Sequence, residues 1–179
     1  MNRFVVVSGC SGSGKSTLLA ELARRGFAVV EEPGRRIVAQ ERLNGGAALP
    51  WIDLAAFARR AVKMALEDRR QATVLPGTVF FDRGLIDAAV ALEHAAGIPA
   101  AHTCGAERYH RRVFMTPPWP EIFRNDGDRL HGFDEAVAEY DRLVRGYGQL
   151  GYCVESVPRM PVPARADWVL ARLDVGDAS

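Results

Sequence analysis

Gly9-Cys10-Ser11-Gly12-Ser13-Gly14-Lys15-Ser16, followed by Thr17, matches the spacing G-x-x-x-x-G-K-[ST] without a departure. These residue types in this order suit the holding of polyphosphate. Glycines let the backbone bend and bring its N–H groups against phosphate oxygens. A helix starting at Lys15 adds unpaired donors and partial positive charge. Lys15 offers a cation that can follow the β- and γ-phosphates, and Ser16 a hydroxyl for Mg²⁺. ATP with Mg²⁺ is the expected ligand, cradled by residues 9 to 17.

Three further stretches add reactive groups. In VFFDRG, residues 79–84, Asp82 ends an apolar run, with Arg83 directly after it. Ligands of open α/β sheets gather beyond the carboxyl ends of strands. Asp82 is therefore expected to hold hydrated Mg²⁺ or to take a proton from an acceptor hydroxyl. In VVEEPGRR, residues 29–36, Glu31, Glu32, Arg35 and Arg36 fall near the same sheet edge. Strand alternation turns only one of the two glutamates into the cleft, and Glu32 is favoured. Glu32 is a candidate base or ligand for an acceptor hydroxyl, and Arg35 and Arg36 suit an anionic acceptor or a pairing with that carboxylate. In EIFRNDGDRLHGF, residues 121–133, Arg124 and Arg129 sit in a polar, charge-dense segment. An arginine-bearing lid, about residues 120–132, would exclude water and meet charge on a transferring phosphoryl group.

These groups need a scaffold, and the rest of the chain reads as one. Residues 3–8, 27–31, 78–82, 111–115 and 151–158 read as strands; most are continuous apolar runs. Helical spacing covers residues 15–25, 51–72, 85–95, 133–147 and 163–173, with a further short helix over 35–43. Alternating strands and helices imply a parallel sheet covered on both faces. The 179 residues suit one domain, 1–179, with no composition shift to mark a second. A net charge of +1 gives no strong field toward nucleic acid or membrane, and neither is expected as a partner. Three cysteines fit a reducing cytoplasm better than a disulfide scaffold, and no signal peptide is evident.

The fate of the γ-phosphate separates the function classes. A mechanical ATPase usually follows its strand-end Asp with a Glu that activates water, whereas here Arg83 follows. No Asn-Lys-x-Asp base-reading motif is present. That leaves an ATP-dependent small-molecule kinase first. The alternative is a nucleotide-binding switch with slow hydrolysis, whose lid closure a protein partner reads.

Together the stretches resemble the P-loop kinases of nucleoside and nucleotide type, and more narrowly the AAA_28-type predicted ATPase/kinase family. That family is similar to the ribosylnicotinamide kinase domain of the bacterial NAD regulator. The shared pattern is the Walker A loop at Gly9 to Thr17, Glu32 with Arg35, Phe81-Asp82-Arg83-Gly84, and Arg124 with Arg129. Gly84 departs from the serine common in deoxynucleoside kinases, and Cys10-Ser11 from the Gly-Pro of many such loops. The resemblance implies a three-layer α/β/α sandwich with a five-stranded parallel sheet of order 2-3-1-4-5. It implies Ser16 and Asp82 around Mg²⁺, Asp82 or Glu32 as base, and Arg83, Arg124 and Arg129 near the phosphates.

His102, Cys104 and His110 fit no standard zinc spacing. Residues 97–110 are expected to be a polar loop or acceptor-site wall, with His102 or Tyr109 touching the acceptor. Cys10 beside phosphate-binding amides is either a partly activated thiol or a space-filler. Arg59, Arg60 and Lys63 read as a solvated helix face, and Trp51 and Trp119 as core or rim packing.

Overall fold

The computed structural model describes residues 2–121 and 132–174. Residues 122–131 of the expected lid, Arg124 and Arg129 among them, lie outside the described residues. In chain order the strands are β1 (Phe4–Gly9), β2 (Ala28–Val30), β3 (Val79–Asp82), β4 (Arg112–Thr116) and β5 (Cys153–Ser156). The helices are α1 (Lys15–Arg24), α2 (Pro33–Asn44), α3 (Leu54–Gln71), α4 (Leu85–Ala96), α5 (Ala100–Cys104), α6 (Phe133–Gln149) and α7 (Val162–Asp174).

The five strands form one parallel sheet in the order β2-β3-β1-β4-β5, the expected order. Every residue of β1 is buried, so both its faces must be apolar. Its odd-numbered valines, Val5 and Val7, join Phe80 and Phe114 against Leu18, Leu19 and Leu22 of α1 and Ala166 and Val169 of α7. Phe4 and Val6 face the other way, with Phe81, Val113 and Met115, onto α4 and onto Leu143 and Tyr147 of α6. Each fully buried side chain of this size contributes about 1.5–3 kcal/mol. The three layers follow from that alternation. Helix α2 lies outside the sheet and packs through Ile37 on Ala61 of α3 and Ala88 of α4.

Local differences from the sequence reading have local causes. Helix α2 starts earlier than expected because Pro33, with its fixed φ and missing N–H, suits a first turn. Helix α3 starts later, at the Asp53 cap, whose carboxylate accepts from the Ala56 N–H at 2.9 Å. Part of the expected loop 97–110 is helix α5. Among the described residues no helix is long and apolar enough to cross a membrane.

Candidate functional site

Register brings the carboxyl ends of three strands level: Val7 lies beside Asp82, and Gly9 beside Thr116. At Gly9, φ is 133°, and a Cβ there would run into the carbonyl and hydroxyl of Thr116. The close approach of β1 and β4 therefore requires glycine at the mouth of the loop. Ser13 pins the loop from inside, with its hydroxyl donating to the Cys10 carbonyl at 2.8 Å and lying 2.6 Å from Thr116 Oγ1. Gly14, at φ 78°, turns the chain into α1, so the helix N-terminus opens on the cleft. Residues 10 to 17 line this cleft of about 740 Å³ together with Glu32, Arg35, Arg83, Trp119 and the segment Arg159 to Val162.

Lys15 is 5% exposed, which demands a counter-ion. Its Nζ lies 2.8 Å from Asp82 Oδ1, an ion-pair contact without the alignment of a hydrogen bond, and 4.0 Å from Glu32 Oε2. Glu31 is exposed, while Glu32 turns inward. Arg35 reaches Glu32 at 3.2 Å through Nε and donates to Ser16 Oγ at 3.1 Å. Burial pushes the Glu32 carboxyl up, but the charges of Arg83, Lys15 and Arg35 outweigh it and hold the group below the usual carboxylate range.

Arg83 stands at φ 61°, the left-handed region that side chains other than glycine seldom enter. That turn aims its guanidinium back over the loop. It donates to the Gly9 carbonyl at 3.0 Å and to Glu139 Oε1 at 2.7 Å, and lies 3.4 Å from Glu32 Oε1. Burial alone would lower its pKa, but Glu139, Glu32 and Asp87 raise it well above the ordinary value.

The structure thus gathers Lys15, Ser16, Glu32, Arg35, Asp82 and Arg83 at one end of the cleft. Arg36 is not with them, because it pairs with the buried carboxylate of Asp68 on α3. The expectation that residues 97–110 wall an acceptor is corrected at Tyr109 and His110. Tyr109 is buried against Phe81 and accepts from the Leu85 N–H, and the His110 N–H bonds to the Phe4 carbonyl at the opposite end of the sheet. Of the two readings of Cys10 the buried thiol fits the space-filler: burial and then the Glu139 carboxylate push it up to about 11. Arg60 pairs with Glu41, and among the described residues no cluster of His, Cys, Asp and Glu could hold a metal.

Sequence reasoning missed three charged residues at or beneath the site. Glu139 holds Arg83 from α6. Asp87, in the first turn of α4, accepts from the Ser8 hydroxyl, from the Gly84 N–H at 2.8 Å and from the Tyr147 hydroxyl at 2.6 Å. It joins β1, the turn after β3 and α6 beneath the phosphate loop. Burial raises its pKa, opposed by Arg83 and these three donors. Arg165, from the first turn of α7, is the third. The signal for Glu139 and Arg165 is a charge set within an apolar helical stripe: Ala136, Glu139 and Leu143, and Arg165, Ala166 and Val169. For Asp87 it is an acid three residues into a helix that starts after glycine.

The AAA_28 family, described as an AAA domain, matches residues 4–165. The chain is 30% identical over 105 residues to a protein of Pyrobaculum calidifontis named probable thymidylate kinase, covering 54% of this chain and 52% of that one. It therefore spans about half the length of that relative. Among solved structures it is similar to a NadR protein in complex with NR, with a TM-score of 0.72, 20% identity, and 97% of this chain and 51% of that chain covered. It is also similar to deoxyadenosine kinase from M. mycoides with bound dATP, with a TM-score of 0.68, 15% identity, and 96% and 98% of the two chains covered. At these identities the likeness to the solved structures is one of fold.

Proposed function

From the premise that the chain belongs to the AAA_28 family of AAA domains, we propose that it is an ATP-dependent phosphotransferase acting on a nucleoside- or nucleotide-type acceptor. The observation that carries this reading is the sharing of Lys15 between Asp82 and Glu32, with Arg83 standing where a water-activating acid would follow Asp82. The acids at the reacting end are matched by cations, an arrangement that orients a hydroxyl between carboxylate and phosphate. The kinase names of the thymidylate and deoxyadenosine relatives support the same reaction class.

The loop amides and Lys15 bind the phosphates and fix the direction of transfer. Glu32 accepts a hydrogen bond from the acceptor hydroxyl and takes its proton at a carboxylate oxygen. Its lowered basicity suits a loose transition state, in which the hydroxyl loses its proton late. Arg83 and Arg35 stabilise charge on the transferring group, and Arg124 and Arg129 would close over it from the lid. Ser16 and Asp82 offer the hard hydroxyl and carboxylate oxygens that Mg²⁺ takes alongside substrate phosphates and water, so the donor set fits. Bound there, Mg²⁺ would neutralise phosphate charge.

ADP release from Mg·ATP, measured against a panel of nucleosides, nucleotides and phosphorylatable metabolites with Lys15→Ala as the blank, tests this. One compound that stimulates release and gains a phosphate is expected. Slow release indifferent to the whole panel would favour the switch instead.

A further inference from the structure

One buried cation of the cleft has no acid among the described residues. Arg165 is 4% exposed. It makes no ion pair with any described carboxylate; its partners are neutral. One terminal nitrogen donates to the Gly14 carbonyl at 3.1 Å and the other to Thr17 Oγ1 at 3.3 Å. Its Nε is buried without an acceptor, and the Trp119 ring centre lies 5.7 Å from the guanidinium carbon. Burial lowers its pKa, with no acid beside it among the described residues to hold it up.

The contrast with Arg83 is instructive. Arg83 is also buried, but Glu139 and Glu32 compensate it. A guanidinium withdrawn from water without a counter-ion is a standing cost to the fold. A neutral residue could bridge Gly14 and Thr17 without that cost. Guanidinium carries five N–H donors, and the two bonds made here leave others without an acceptor on a residue that lines the cleft.

Position bears on which counter-ion would suit it. Arg165 stands on the β4–β5 side of the cleft, whereas Lys15 leans to the acids at the ends of β3 and β2. The lining on that side, Trp119, Met160, Pro161 and Val162, is apolar apart from the exposed Arg159, and suits a nucleoside more than a reacting phosphoryl group. We propose that Arg165 is a second phosphate-binding cation of the cradle, pairing with the donor phosphate nearest the nucleoside, across the α1 N-terminus from Lys15. This rests on the nucleotide-binding reading above. Trp119 shields the pair from water and supplies a ring face for the cation.

ADP, which has no γ-phosphate, is the probe. Calorimetry on the full chain compares wild type, Arg165→Gln and Lys15→Ala, with apo melting temperatures recorded alongside. Arg165→Gln is expected to weaken ADP binding about 10- to 100-fold and to flatten its salt dependence. The apo melting temperature should hold or rise, because an uncompensated buried charge has gone. ADP affinity within about twofold of wild type in folded Arg165→Gln would overturn the inference and leave Arg165 a clasp between α7 and α1. If that variant does not fold, Arg165→Met, apolar and of similar length, takes its place under the same criteria. Failure of the nucleotide reading is separate: wild type would then bind no ADP, and Arg165 would fall with it.

Discussion

Arg3 and the cations of the cleft, at opposite ends of the sheet, are held in different ways. At the amino end, Arg3 spreads its guanidinium over the backbone carbonyls of Ala72, Thr73, Leu75 and Gly77. It also lies 5.0 Å from the Phe4 ring centre. At the carboxyl end, Arg83, Arg35 and Lys15 meet carboxylates that can exchange partners, and Arg165 meets none. Arg3, spread over four main-chain carbonyls away from the cleft, is fixed with the fold. A cation balanced by side chains in a cleft can be given to a ligand.

The largest expected break in that comparison is Lys15→Ala. Turnover should fall by about 10²–10³-fold, measured as ADP release in protein whose far-UV spectrum is unchanged. A variant with wild-type turnover would remove the carboxyl end from the chemistry. Next comes Asp82→Asn, with a loss of about 10²-fold and little change in melting temperature. Arg3→Met tests the other end. Stability should drop by about 1–3 kcal/mol in chemical denaturation, while turnover per folded molecule stays at the wild-type level. Equal losses of turnover at both ends would erase the distinction.

The smallest effect concerns pH. The folded pKa of Glu32 is depressed, so its stabilising contribution is present above the ordinary carboxylate value. It is lost as pH falls through the folded value. Wild-type stability should therefore show no Glu32 loss above about pH 5, and Glu32→Gln should flatten the acid limb below about pH 4. A flattening centred near neutrality would mean that the three cations do not govern this group.

Much of the scaffold was legible because strand burial writes itself into short apolar runs. FVVVSG and VFFD are buried throughout, whereas the order of the strands came from the family resemblance and is the one observed. The phosphate loop was legible because its glycines are backbone requirements tied to fixed spacing. Arg36 was misread because its partner, Asp68, lies 32 residues away on another helix. Tyr109 was misread because nothing local tells whether a polar-tipped ring ends in a core. Its hydroxyl found the Leu85 N–H, which no periodicity predicts. Glu139, Asp87 and Arg165 escaped for the same reason: each is read by what the fold brings to it.

Residue 83 has an unusually narrow mutational tolerance. Its backbone, at φ 61°, asks for glycine, while its partners ask for a branched cation that reaches Gly9, Glu32 and Glu139 together. No single substitution answers both demands. Glycine would relax the turn by about 1 kcal/mol, take the guanidinium from Glu139 and leave Glu32 to Arg35 and Lys15. Lysine would keep the charge and lose the fork. Drift at this position is closed in every direction, so a library randomised there should return arginine almost alone when selected for activity, and a broader set when selected for folding.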